Sequence, residues 1–103
     1  MDSEQISFKI ISSAGDSFAE MIQALECAKK GNHEEALARM DSAKEILREA
    51  HKAQMDMLVS EANGTKPEFS ILLVHAQDHL MNAVLAETLI SQMIDIVCGK
   101  GDK

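Results

Sequence analysis

The segment that determines the fold is residues 68–98, EFSILLVHAQDHLMNAVLAETLISQMIDIVC. It contains no glycine, lysine or arginine, and its only carboxylates are Glu68, Asp78, Glu87 and Asp95. Apolar residues recur in alternating steps of three and four, interrupted only by Glu87, which is the spacing of one packed face of an α-helix. Their positions are 73, 76, 80, 83, 90, 94 and 97. The segment is therefore predicted to form one long helix.

More of this helix is apolar than the core of one small bundle needs. A second set of apolar residues follows a neighbouring stripe, at positions 74, 81, 85, 89 and 96. An apolar stripe of this size marks an interaction surface when it is left in water. The sequence therefore predicts that this face is buried against other subunits.

The composition favours helices throughout the chain. Hydrophobic residues make up 46% of the 103 residues, aromatic residues only 3%, and there are 7 methionines and 1 proline. Such a chain packs helices through Leu, Ile, Ala and Met more readily than it builds a sheet. Because a chain of this length supports one core, we expect a single all-α domain spanning residues 1–103.

Turn and capping residues divide the chain into three helices. Gly31 ends the first, Asn32 is a good N-cap for the second, and the short joint between them makes these helices antiparallel. Thr65 and Glu68 have the spacing of a capping box ahead of the third helix, which Gly99 ends. The predicted architecture is an antiparallel up-down-up three-helix bundle, with helices of roughly 40 Å at ~1.5 Å per residue. The predicted ranges are about 3–30, 33–62 and 67–98.

The formal net charge of −7 restricts the kinds of partner. There are 17 acidic and 10 basic residues, whereas nucleic acid is bound by lysine and arginine in numbers. The N-terminus does not resemble a signal peptide, and no uninterrupted apolar run approaches the roughly 20 residues that span a bilayer. We expect a cytoplasmic protein that does not bind nucleic acid.

His75, Asp78 and His79 form a chemical group within the apolar helix. Their i, i+3, i+4 spacing places all three on one face, within contact of each other. A neutral imidazole can accept a phosphoryl group on a ring nitrogen while a neighbouring group orients it. The same residues have the H-x-x-acid-H spacing of one metallopeptidase class, for which Glu87 is a candidate third ligand. A helical interaction module without chemistry is the remaining interpretation.

The second helix contains one polar residue, Gln54, in its apolar stripe. A buried amide costs free energy unless it finds a partner, and His51, three residues earlier, is the nearest local candidate. The up-down-up arrangement places His51, Gln54, the histidine group of the third helix and the small-residue segment 12–17 at one level of the bundle. We expect one site there, with His51 and Gln54 as possible supporting residues.

An eight-residue block and three flanking signatures carry a family resemblance. The block is Val74-His75-Ala76-Gln77-Asp78-His79-Leu80-Met81, and the signatures are Ile11-x-x-Ala14-Gly15-x-Ser17, Gly31 ahead of an alanine-rich helix, and Ala50-His51-x-x-Gln54. Together they cover nearly the whole chain. In these motifs the sequence resembles the enzyme IIA components of the lactose/cellobiose class of the phosphoenolpyruvate-dependent sugar phosphotransferase system.

The resemblance implies a cytoplasmic homotrimer that relays phosphate. His75 would be the phosphoryl acceptor, His79 its neighbour in the site, and Asp78 the carboxylate that meets its two symmetry mates around a divalent cation, Mg²⁺, on the threefold axis. The donor would be the histidine phosphocarrier protein. The acceptor would be a cysteine of the IIB component, which passes phosphate to a sugar entering through the membrane-embedded IIC component. That sugar would be a β-linked disaccharide of the cellobiose/chitobiose or lactose type.

Overall fold

The computed structural model describes residues 3–64 and 70–99, and its regular elements in these ranges are three α-helices. α1 spans Ser3–Lys29, α2 spans His33–Ala62 and α3 spans Ile71–Val97. The helices contain 27, 30 and 27 residues, which corresponds to about 40–45 Å each. They lie side by side in a bundle with extents of 49, 23 and 19 Å. The predicted three-helix architecture is confirmed.

The turn between α1 and α2 follows the predicted signals, with one difference. Gly31 has a φ of 87°, in the left-handed region that favours glycine. The Gly31 N–H donates to the Ala28 carbonyl at 3.0 Å, and the Asn32 N–H donates to the Cys27 carbonyl at 2.9 Å. This pair of bonds closes the C-terminus of a helix. Asn32 occupies the N-cap position of α2, but its side chain makes no capping hydrogen bond.

The third helix begins later than predicted. Ser70 is extended, with φ −154° and ψ 154°, and its hydroxyl accepts a hydrogen bond from the Leu73 N–H at 3.0 Å. A serine in this arrangement is an N-cap, so α3 starts at Ile71. The prediction placed this start at about residue 67, whereas the extended Ser70 sets the first turn at Ile71. Thr65 and Glu68 lie outside the described residues.

The core runs along the bundle, and α3 packs mainly on α1. Of the seven α3 positions predicted to face the core, six are buried and Val97, at the helix end, is exposed. The small residues of α1 serve close packing: the buried Ser17 hydroxyl donates to the Ala43 carbonyl of α2 at 2.7 Å. Gly15 faces outward, where an added Cβ would meet nothing within 4 Å. The packing leaves the opposite face of α3 uncovered.

That uncovered face is mostly apolar. Met81 and Leu85 are 57% and 58% exposed, and Ile96 is 72% exposed. The exposed apolar side chains of α3 are Ile71, Val74, Met81, Leu85, Leu89, Met93, Ile96 and Val97. They include every member of the second stripe predicted from sequence. One subunit therefore leaves this face without a covering partner among the described residues.

By length and composition alone, α3 would also qualify as a membrane-spanning helix. The sequence prediction missed this because it considered only uninterrupted apolar runs. α3 carries three carboxylates, Asp78, Glu87 and Asp95, and charged side chains within a membrane-spanning segment are costly. The core helix of a soluble protein meets the same criterion of length and composition.

Candidate functional site

His75 and His79 lie one turn apart on α3 and contact each other. Their Nε2 atoms are 3.0 Å apart, and the ring centroids are 4.4 Å apart with an angle of 86° between the ring planes. At this distance one Nε2 carries a proton and donates a hydrogen bond, and the other Nε2 accepts that bond. His75 is exposed, whereas His79 is half-buried. The pair thus presents an accessible imidazole held by a less accessible one.

Asp78 lies on the uncovered apolar face of α3. Val74, Asp78, Met81 and Leu85 follow one another in steps of four, three and four, which places them on one helical stripe. The Asp78 side chain is exposed, and none of the ion pairs between described residues includes it. A single carboxylate therefore lies within an apolar surface.

Gln54 bonds Gln77 of α3, and not the local candidate His51. The Gln54 Nε2–H donates to Gln77 Oε1, and both side chains are half-buried. Ala53, rather than Gln54, takes the inner position of α2. This follows from helix geometry, because a face with 3.6 residues per turn drifts by about 20° per heptad from a strict seven-residue repeat. Gln54 is thereby turned into the seam between α2 and α3.

His51 lines a surface groove of about 400 Å³ between α2 and α3. The other lining residues are Lys44, Leu47, Arg48, Val84 and Glu87. His75, Asp78 and His79 are not among them. Among the described residues, the hydrogen bond and the ring contact of the histidine pair do not include His51.

The single level predicted for all these residues is wrong in part. Gln54 and Gln77 are level with each other, as expected for the predicted register of α2 and α3. Ser17 is level with Ala43, which lies 11 residues before Gln54 and hence about 16 Å away along α2. The small-residue segment of α1 thus packs against the middle of α2, far from the histidines. Sequence alone did not fix the register of α1 against α2, because this register depends on the connections and on the packing of the whole core.

The metallopeptidase interpretation lacks a third ligand among the described residues of one chain. Among residues 3–64 and 70–99, no group of three or more His, Cys, Asp or Glu side chains is arranged to hold a metal. Glu87 lies eight residues beyond His79, about 12 Å along the helix axis, and it lines the α2/α3 groove. The two imidazoles meet each other instead of converging on a site that includes Glu87.

Gln77 is the residue at this level of the bundle that sequence reasoning missed. It lies two residues after His75 and directly before Asp78 in the eight-residue block, and this position was the available signal. Its hydrogen bond to Gln54 joins α2 to α3 beside the histidine turn. The contact between these two helices is otherwise the least extensive in the bundle.

Comparison with known proteins identifies the family. Residues 5–98 match the family of PTS system, lactose/cellobiose-specific IIA subunits. The chain is 40% identical over 93 residues to the lichenan-specific phosphotransferase enzyme IIA component of Bacillus subtilis (strain 168), an alignment that covers 90% of this chain and 84% of that protein.

Two solved structures share the fold. The PTS cellobiose-specific enzyme IIA from Bacillus anthracis has a TM-score of 0.92 at 42% identity, covering 100% of this chain and 94% of that one. The IIA(Chitobiose)–HPr complex of the N,N'-diacetylchitobiose branch of the Escherichia coli phosphotransferase system has a TM-score of 0.81 at 34% identity, covering 94% of each chain. The chain therefore belongs to the lactose/cellobiose-specific IIA subunits of the PTS, which are phosphotransferase components that carry phosphate on a histidine.

Proposed function

We propose that this chain accepts a phosphoryl group on His75 from the histidine phosphocarrier protein, HPr, and passes it to a cysteine of its IIB component. The sugar taken up would be a β-linked disaccharide of the cellobiose, chitobiose or lactose type. The 3.0 Å contact between the Nε2 atoms of His75 and His79 is the observation that carries the proposal. The relative whose structure contains HPr supports the donor, and the names of the cellobiose and lichenan relatives support the sugar class.

The exposure of the two histidines supports the roles proposed for them. A phosphorylated donor must bring its phosphorus atom to the attacking nitrogen, so the acceptor has to be reachable from solvent. His75 is exposed and His79 is half-buried. His75 is therefore the acceptor and His79 the residue that orients it.

The proposed role of His75 as acceptor sets the tautomers in the contact between the rings, because its Nε2 must keep a lone pair. In the resting protein the His79 Nε2–H donates to the lone pair of His75 Nε2, so the proton of neutral His75 is on Nδ1. When the donor docks, this lone pair attacks phosphorus. The P–N bond of the donor's phosphohistidine breaks as the new P–N bond forms, and the donor imidazole leaves neutral, protonated on its other nitrogen. The His79 N–H then donates to a phosphoryl oxygen, which stabilises the transferred charge.

The uncovered apolar face of α3 is the interface of a homotrimer in this proposal. Its side chains are about half exposed, so covering each would stabilise the assembly by roughly 1 kcal/mol, half the value for complete burial. Threefold symmetry brings the three Asp78 carboxylates together at the axis, where like charges repel. Carboxylate oxygens suit a hard divalent cation. Asp78 of each subunit would hold this ion, Mg²⁺, whose role is to neutralise the three charges.

Burial in a trimer also accounts for the composition of α3. A helix apolar enough to span a membrane stays in solution when its uncovered face packs against two other copies. We therefore place the protein in the cytoplasm, linked through IIB to the membrane-embedded IIC component.

The experiment that tests the function is incubation with phosphoenolpyruvate, enzyme I and HPr, followed by intact mass measurement. We expect a gain of one phosphate per chain, labile to acid and stable to base as a phosphoramidate is. A chain that gains no phosphate while HPr itself is phosphorylated would contradict the proposal.

A further inference from the structure

The bond between Gln54 and Gln77 fixes the orientation of one amide group. Gln54 Nε2–H donates to Gln77 Oε1, which leaves the NH₂ group of the same planar Gln77 amide free to donate in another direction. No other side chain among the described residues bonds this NH₂ group. Because both glutamines are half-buried, the pair presents a donor held in place by a neighbouring helix.

This donor cannot serve the histidines of its own chain. Residues two apart on a helix do not face each other, and at 3.6 residues per turn His75 and Gln77 point about 160° apart around the α3 axis. Gln77 faces α2, so His75 lies on the opposite flank of α3. The uncovered apolar face with Asp78 separates the two flanks.

A threefold assembly on that face brings the two flanks together between subunits. Rotation about one axis produces head-to-tail contacts, in which one flank of a subunit meets the opposite flank of the next. If the rotation axis is parallel to α3, equivalent residues of the three subunits lie at the same height along that axis. Gln77 of one subunit then stands only two residues, about 3 Å, above the height of His75 in the next.

We propose that Gln54 is a positioning residue: it holds the Gln77 amide so that its N–H groups point at the phosphoryl group on His75 of the neighbouring subunit. The inference rests on the proposed function, because it takes the trimer and the acceptor from it. A phosphoryl group carries negative charge, and α3 contains no lysine or arginine to meet it. Fixed amide donors stabilise such a charge without an opposing cation.

Gln54→Glu tests the orientation. A carboxylate cannot donate, so it would accept from the Gln77 NH₂ group and turn Gln77 Oε1 toward the phosphate. We expect the equilibrium for phosphate transfer from HPr to fall by about tenfold or more, the value of one hydrogen bond to a charged group. The control, Gln23→Glu, adds the same charge at an exposed position of α1 and should match wild type. Trimer content is checked by analytical ultracentrifugation.

Gln54→Met keeps the test decisive if the glutamate variant does not assemble. Methionine has nearly the same shape but releases Gln77, so the equilibrium should fall by less than in Gln54→Glu and remain below wild type. A trimeric variant of either kind with the wild-type equilibrium would overturn the proposal.

Mixed trimers test whether the amide acts between subunits. His75→Gln chains, which keep Gln54, are co-produced with Gln54→Glu chains, which keep His75, and intact mass reports the two chains separately. We expect the phosphorylated fraction of the Gln54→Glu chain to rise in mixed trimers. Some of its His75 side chains then lie next to a subunit that keeps Gln54 and therefore holds its Gln77 amide in the donating orientation. No rise would overturn the proposal. Phosphate on the His75→Gln chain would instead contradict the acceptor assignment of the proposed function.

Discussion

The Nε2 atoms of His75 and His79 lie 3.0 Å apart, with their rings at 86° to each other. Only one of the two nitrogens carries a proton in this contact, so each imidazole sets the tautomer of the other. The contact also keeps His75 Nε2, the proposed acceptor nitrogen, at a fixed position on the helix. A carrier that exchanges phosphate with two partners needs both properties, because each partner must find the same neutral nitrogen.

His79→Gln should slow phosphate transfer without abolishing it. Glutamine keeps an N–H donor but lacks the fixed geometry of the ring, so we expect a loss of roughly tenfold in rate, comparable to one weakened hydrogen bond to a charged group. Rapid quench of transfer from phosphorylated HPr measures it. Complete loss in a folded trimer that still binds HPr would mean that the roles of the two histidines are reversed.

Leu85→Asp should convert the trimer to monomers. Leu85 is 58% exposed in the centre of the uncovered face, and a carboxylate there would be buried without a partner at the interface. Sedimentation velocity at micromolar concentration measures the species, and circular dichroism confirms that the helices remain. Leu37→Asp is the matched control, because Leu37 is an exposed leucine on α2, and this variant should remain a trimer. If the Leu85→Asp protein is also a trimer, the interface lies elsewhere.

Asp78→Leu should give a trimer that no longer responds to chelator. If three Asp78 carboxylates share a divalent cation in wild type, as proposed, removing the cation leaves like charges together, so the melting temperature should drop on addition of chelator. Replacing Asp78 removes the repulsion along with the metal. Asp41→Leu, at an exposed aspartate of α2, should keep the wild-type response. An Asp78→Leu protein that still loses stability with chelator would show that the ion binds at other residues.

Ser17→Ala should destabilise the bundle by about 1 kcal/mol, the net contribution of one hydrogen bond. The Ser17 hydroxyl donates to the Ala43 carbonyl at 2.7 Å in the buried contact of α1 with α2. Urea unfolding at one protein concentration measures the change, since the stability of an oligomer depends on concentration. Ser42→Ala, exposed on α2, should stay within about 0.5 kcal/mol of wild type. Equal stability of the two variants would show that the Ser17 bond contributes nothing.

The sequence predicted the helices well because apolar periodicity and glycine placement are local signals. The core stripe of α3 at Leu73, Ala76 and Leu80 follows directly from the three-and-four spacing. Gly31 marks the turn because its positive φ suits only glycine at low cost. These features depend on residues within one or two helical turns of each other.

The sequence did not predict which residues meet across helices. Gln54 was assigned to the core stripe with His51 as its local candidate partner, yet helical drift turns it toward Gln77. The height of Ser17 was misjudged because register between helices depends on the lengths of both connections and on the whole core. The contact of His75 with His79 was predictable, since both lie on one face of one helix.

The most direct test of the account is phosphate uptake by His75→Gln beside wild type. Both proteins, with His33→Gln as a control at an exposed histidine of α2, are incubated with phosphoenolpyruvate, enzyme I and HPr and analysed by intact mass under basic conditions. We predict one phosphate on wild type and on His33→Gln, and none on His75→Gln while its trimer and helices remain intact. Phosphate on His75→Gln at the wild-type rate would contradict the account.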